Sequence, residues 1–153
     1  MEPLKPSETG ATLLIVEDEI LAAMTLKSEL EDAGFHVLDL TDQPGEAVVA
    51  AQACKPALAL VNIELHDRND GIALAREFKA MDIPVLFISG QISRARSAQT
   101  VAVGSLPKPY DPAHMVMAVS YLLRHLEGDE SLPRPQGLEV FAENAAEMES
   151  DAA

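Results

Sequence analysis

The 153-residue chain has no tryptophan, two tyrosines, four phenylalanines and one cysteine. So few rings exclude a surface built to stack nucleic-acid bases, and they leave the core to be filled by Ala, Leu, Val and Ile. Cys54 has no second cysteine to pair with, which excludes an internal disulfide. His36, His66, His114 and His125 are scattered without ligand spacing, so a zinc site is not expected. Basic residues are scarce, 11 against 25 acidic ones, and the formal net charge of −14 repels phosphate backbones and anionic lipid. No apolar run approaches the roughly 20 residues that span a bilayer, and the first ten residues, MEPLKPSETG, carry no signal-peptide pattern. No Gly-rich phosphate loop or nucleophile elbow occurs either. These absences predict a cytoplasmic protein that is not an enzyme, binds neither nucleic acid nor membrane, and works through protein partners.

What is present is apolar material: 48% of the residues are hydrophobic, enough for one ordinary domain with a core of its own. The charge is uneven. Residues 127–153 hold eight acids against one base, Arg134, together with Pro133, Pro135 and Gly137. This composition predicts an acidic, disordered tail, within which 138–148 could fold as a short helix on a partner. The reading divides the chain into a flexible start at 1–10, a domain at 11–126 and the tail.

Within the domain, short apolar runs alternate with helical patterns five times. Strands are expected at Thr12–Val16, Phe35–Leu40, Ala57–Asn62, Ile83–Ile88 and about Ala102–Leu106. The third and fourth, ALALVN and IPVLFI, are continuous apolar runs of the kind buried on both faces of a parallel sheet. Ile20, Ala23, Leu26, Leu30 and Ala33 recur at helical spacing, and Gly34 supplies a stop. Asp70 could cap a helix bearing Ile72, Ala75 and Phe78. Asp111 and Pro112 form an N-cap and first-turn proline before a helix ending near Leu126, with Arg124 and His125 in its last turn. The segment from Gln91 to Thr100 is the weakest helix, with Ser, Thr and Gln where apolar anchors are wanted. A (βα)5 series joined by right-handed crossovers is an open parallel sheet with helices on both faces, and its ligand site lies beyond the carboxyl ends of the strands.

Four strand ends carry polar groups: Glu17, Asp18 and Glu19 after the first, Asn62 at the third, Ser89 after the fourth and Lys108 after the fifth. Adjacent acids there could hold Mg²⁺, while a hydroxyl and an ammonium could grip phosphoryl oxygens. Taken singly these are ordinary: a solvated helix start, a strand-end amide, a turn hydroxyl, a surface lysine.

LLIVEDE, ALALVNIELHDRNDGIALA, IPVLFISG and SLPKPYDP, in that order, resemble the receiver domains of two-component response regulators over roughly residues 11–126. The resemblance implies a flavodoxin-like fold of strand order 2-1-3-4-5. It implies an acidic pair at Glu17 and Asp18 that holds Mg²⁺ with the Glu64 carbonyl, phosphoryl contacts from Ser89 and Lys108, and a cis bond at Lys108–Pro109. At the phospho-acceptor position, however, stands Asn62, whose neutral amide lacks the anionic oxygen needed to attack phosphorus. Only weak Mg²⁺ binding is then expected. Ser105 falls where the family has an aromatic that moves on activation. Two readings follow from the resemblance. One is a pseudo-receiver of a phosphorelay, acting on a histidine kinase, phosphotransfer protein or other signalling protein through its surface. The other is a phosphoryl-accepting regulator in which an Asp at 62 has been engineered to Asn. For the first, the partner face is expected around residues 91–100, the fifth strand and the helix from 112 to 126, with Arg94 and Arg96 as a docking spot for a carboxylate or phosphate.

Overall fold

The structure is a computed structural model that describes residues 10–67 and 70–141. Five parallel strands form the sheet: β1 (Thr12–Val16), β2 (His36–Val37), β3 (Leu58–Asn62), β4 (Val85–Ser89) and β5 (Gly104–Pro107). Helices α1 (Ile20–Asp32), α2 (Pro44–Ala53), α3 (Asp70–Ala80), α4 (Ile92–Ser97) and α5 (Pro112–Leu126) follow them in turn. A sixth strand, β6 (Glu139–Val140), runs antiparallel to β5, and the order is β2-β1-β3-β4-β5-β6. The flavodoxin-like (βα)5 sheet expected from the sequence is therefore present, with one added edge strand. Among the described residues no helix is long and apolar enough to cross a membrane.

The alternation of side chains along each strand builds two cores. On one face Leu13, Ile15, Leu60 and Ile88 pack with Leu26 and Leu30 of α1 and Met115, Val119 and Leu122 of α5. On the other, Leu14, Val16, Val61 and Phe87 pack with Ala47 and Ala51 of α2 and Leu74, Ala75 and Phe78 of α3. Every residue of β3 and β4 is buried, as their unbroken apolar runs require. Helix ends follow local chemistry. Gly34, at φ +105°, closes α1, with the Phe35 amide reaching back to the Leu30 carbonyl. The Asp111 side chain accepts from the Ala113 amide at 2.9 Å to cap α5.

Four expectations need correction. The second strand is only two residues long. Beyond it the chain touches β1 again through the Leu38 amide and a single bridge at Thr41, because β2 is an edge with no second neighbour to hold a longer ladder. Ile20 is not on the buried face of α1 but 62% exposed. The Gln91–Thr100 helix is cut to one and a half turns of α4 and a 3-10 turn at Gln99–Val101, as its poor anchoring foretells.

The fourth correction is the tail. Residues 127–141 are not a loose extension: Leu138, Val140 and Phe141 are buried, and Glu139–Val140 is strand rather than the start of a helix. Four residues reading Leu-Glu-Val-Phe offer two buried side chains, Leu138 and Val140, to one face of the sheet and one, Phe141, to the other, which the acidic average of the whole segment hides. Residues 142–153, including the rest of the expected tail helix, lie outside the described residues, as do 1–9 of the expected flexible start.

Candidate functional site

The carboxyl ends of β1, β3, β4 and β5 bring Glu17, Asp18, Asn62, Ser89 and Lys108 together, as the spacing of the sequence predicts. Asn62 ends β3 beside β4 and is 3% exposed. Its Nδ2 donates to Asp18 Oδ1 at 3.0 Å, and its Oδ1 accepts from the Glu64 amide at 3.3 Å. Both ends of the amide are thus engaged. The second oxygen of Asp18 accepts from the His66 amide at 3.1 Å. His66 reaches this position in the left-handed region, φ 53°, while its ring contacts the Asp42 carbonyl at 2.9 Å.

Gly71 opens α3 against the end of β3. A Cβ there would lie 2.2 Å from the Asn62 carbonyl oxygen and 2.6 Å from Ile63 Cα, so only glycine fits. On the far side, Ser89 Oγ donates to Glu64 Oε1 at 2.7 Å and accepts from the Gln91 amide at 2.9 Å. Lys108 follows β5, is held through its amide to the Ser89 carbonyl, precedes a cis bond to Pro109, and donates Nζ to Glu17 Oε1 at 3.3 Å. The Glu17 side chain is almost fully buried, and its other oxygen has no partner. Burial pushes its carboxyl above the ordinary range; Lys108 opposes this, and Asp18 and Glu19 add to it. Burial, with the charges of Glu17 and Glu19, likewise pushes the Tyr110 hydroxyl up to about 12.

The family model of the response regulator receiver domain matches residues 13–120. The chain belongs to the receiver family. It is 30% identical over 120 residues to the phyllosphere-induced regulator PhyR of Methylorubrum extorquens, covering 76% of this chain and 45% of that one. It is 31% identical over 133 residues to the phosphate regulon regulator PhoB of Pseudomonas aeruginosa, covering 81% and 57%. The chain thus spans about half the length of the curated relatives it matches. Among solved structures, a CheY-like receiver from Methanospirillum hungatei shares the fold at a TM-score of 0.69 and 22% identity, covering 77% of this chain and 97% of that one. The anti-anti-sigma factor PhyR from Bartonella quintana matches at 0.68 and 28%, covering 79% and 51%.

Receivers commonly bind Mg²⁺ at the phosphorylation site. Mg²⁺ needs oxygen acceptors turned towards a common point. Here both Asp18 oxygens face N–H donors, one Glu17 oxygen faces an ammonium, and the Glu64 carboxylate faces Ser89. Among the described residues no cluster of three His, Cys, Asp or Glu side chains could hold a metal. The residues therefore do not fit a preformed cage. Donors from within the chain meet both Asp18 oxygens and one oxygen of Glu17, and the other, buried oxygen of Glu17 has no hydrogen-bond partner.

Sequence reasoning placed Glu64 in the site through its carbonyl and missed its carboxylate on Ser89, a contact between residues 25 apart that no local signal marks. It also missed the His66 amide on Asp18, which depends on a left-handed backbone. The expected docking spot at Arg96 is already taken, because its guanidinium holds Glu139 at 2.5 Å.

Proposed function

We propose that this receiver is a binding module of a phosphorelay, working in the cytoplasm by contact with a histidine kinase, a phosphotransfer protein or another signalling protein, and not phosphorylated at residue 62. The observation that carries this reading is the double engagement of Asn62: the amide that replaces the nucleophile also ties Asp18 and the Glu64 backbone into one closed network. An amide oxygen has too little nucleophilicity to attack phosphorus, and this one spends a lone pair on the chain itself. Ser89 and Lys108, the phosphoryl-contact residues, are held by Glu64 and Glu17 in the arrangement that a phosphoryl group would have to break. Glu17, Asp18 and the Glu64 carbonyl remain the groups through which a weakly held Mg²⁺ would act.

The surface beside this site suits a protein partner. Ile20, Leu21 and Met24 of α1 are more than half exposed, and an open depression of about 520 Å³ lies between Leu21, Thr25, Pro109 and Tyr110. This favours docking along α1 for a partner that approaches the acidic site. The likeness to PhyR, described in one relative as an anti-anti-sigma factor, supports a role in which a receiver regulates by binding.

The test is the affinity for the histidine-bearing domain of a candidate kinase, measured by calorimetry with and without acetyl phosphate. The proposal expects the same affinity in both, and weaker binding by Leu21→Glu/Met24→Glu. Binding that appears only with acetyl phosphate would overturn it.

A further inference from the structure

β5 is the last parallel strand of the sheet, and the chain returns to cover its free edge. Gly104 and Ser105 pair with Val140 and Glu139, and the Phe141 amide donates to the Val103 carbonyl at 2.8 Å. Three features shape the edge to this visitor. Gly104 forms a notch: a Cβ there would lie 2.5 Å from the Glu139 carbonyl oxygen, so a side chain would expel the strand. Leu138 and Val140 enter the core on the α5 side and Phe141 the core on the opposite side. Arg96 of α4 clamps the one acidic side chain between them with Nε and a terminal nitrogen, at 2.6 and 2.5 Å from Glu139 Oε1.

The visitor is short, and its hold is the burial of three apolar side chains rather than a long ladder. Its ladder is two residues long, and the approach to it turns at Gly128 and Gly137, both with positive φ. The ion pair is largely exposed, with Arg96 at 63%, and pairs of that kind hold weakly.

We propose that the β5 edge is a docking site for an extended segment of a partner protein, with a carboxylate between two apolar residues and an aromatic after them, and that residues 138–141 occupy it as an internal pseudo-ligand. Strand addition supplies affinity through main-chain bonds, and the alternate seats select the side chains. The chain's own Leu-Glu-Val-Phe shows what those seats accept. A partner segment must compete with a tethered strand at high effective concentration, so the surface opens only to a stronger or locally concentrated ligand. This goes beyond the reading of the Asn62 site and does not depend on it.

The probe is a labelled peptide copying residues 136–141, titrated without phosphodonor into the full chain, into Glu139→Arg, which sets two cations against each other, and into Phe141→Ser, which empties the deepest seat. Because apparent affinity scales with the open fraction, the peptide should bind each variant about 10- to 100-fold more tightly than it binds the parent. Adding Gly104→Val to either variant should abolish binding. Replacing the peptide's glutamate by glutamine should weaken it. If a variant does not fold, excess peptide should instead speed hydrogen exchange at the Phe141 amide of the parent. Equal affinity for parent and variants, or no acceleration of that exchange, would overturn the proposal. Dimers of the Glu139→Arg chain that exclude the peptide would also overturn it, since the occupant would then be a second copy.

Discussion

Replacing Asn62 by Asp sets a second carboxylate where an amide donor now lies 3.0 Å from Asp18. The lost hydrogen bond is worth about 1 kcal/mol. Two like charges about 4 Å apart near a protein surface repel by about 4 kcal/mol. Lys108, 3.3 Å from Glu17, and the solvent that reaches the half-buried Asp18 offset part of this. In divalent-free buffer at neutral pH the Asp variant should therefore be less stable by about 2–4 kcal/mol. For a domain of this size that lowers Tm by about 5–15 °C. The penalty should shrink as the pH falls below neutral, because the neighbouring negative charge makes the carboxyl introduced at residue 62 easier to protonate. Millimolar Mg²⁺ should recover most of it in the Asp variant and change the parent little. Thermal melts followed by circular dichroism, with chelator and then with Mg²⁺, measure all three effects. An Asp variant as stable as the parent in chelator would show that Asn62 does not close the site onto Asp18.

Ending the chain after Leu126 removes the buried Leu138, Val140 and Phe141, each worth about 1.5–3 kcal/mol, so urea unfolding should shift by several kcal/mol where a loose tail would leave it unchanged. Gly71→Ala should cost about 3 kcal/mol or more, because its Cβ would meet the main chain of β3 and not a flexible side chain; a stable Ala variant would mean that α3 is free to move away. Burial raises the Glu17 carboxyl above its ordinary 4.5 in the folded chain, which then holds that proton more tightly than the unfolded chain. This contribution favours folding at low pH and is lost as the pH rises above 4.5. Denaturation from about pH 4 to about pH 7 should thus move the stability difference in favour of Glu17→Gln as the pH rises; a difference independent of pH would contradict the burial.

How much of this was legible depends on where the information lies. β3 and β4 are legible because burial on two faces leaves runs such as Leu58–Val61 and Val85–Ile88 with no polar residue. Glu17, Asn62, Ser89 and Lys108 are legible because each stands at the carboxyl end of an expected strand, and the parallel topology does the rest. The bonds that close the site are not legible. Asn62 and Asp18 are 44 residues apart, and either could face water in an equally plausible sequence reading. β6 was missed for a different reason. Composition averaged over 127–153 reports charge, whereas Leu138, Val140 and Phe141 act through their order, and only the vacant edge of β5 with its glycine notch gives that order a meaning. Ile20 misled because spacing sets a helix face but not where the face begins; the buried stripe of α1 starts at Ala23.

The central claim is that the acceptor position of this receiver is chemically silent. Intact-mass spectrometry of the parent and of Asn62→Asp, each incubated with acetyl phosphate and Mg²⁺, tests it most directly. The account predicts one added phosphoryl group on the Asp variant and none on the parent; a stable phosphoryl adduct on the parent, mapped to the loop after β3, would contradict it.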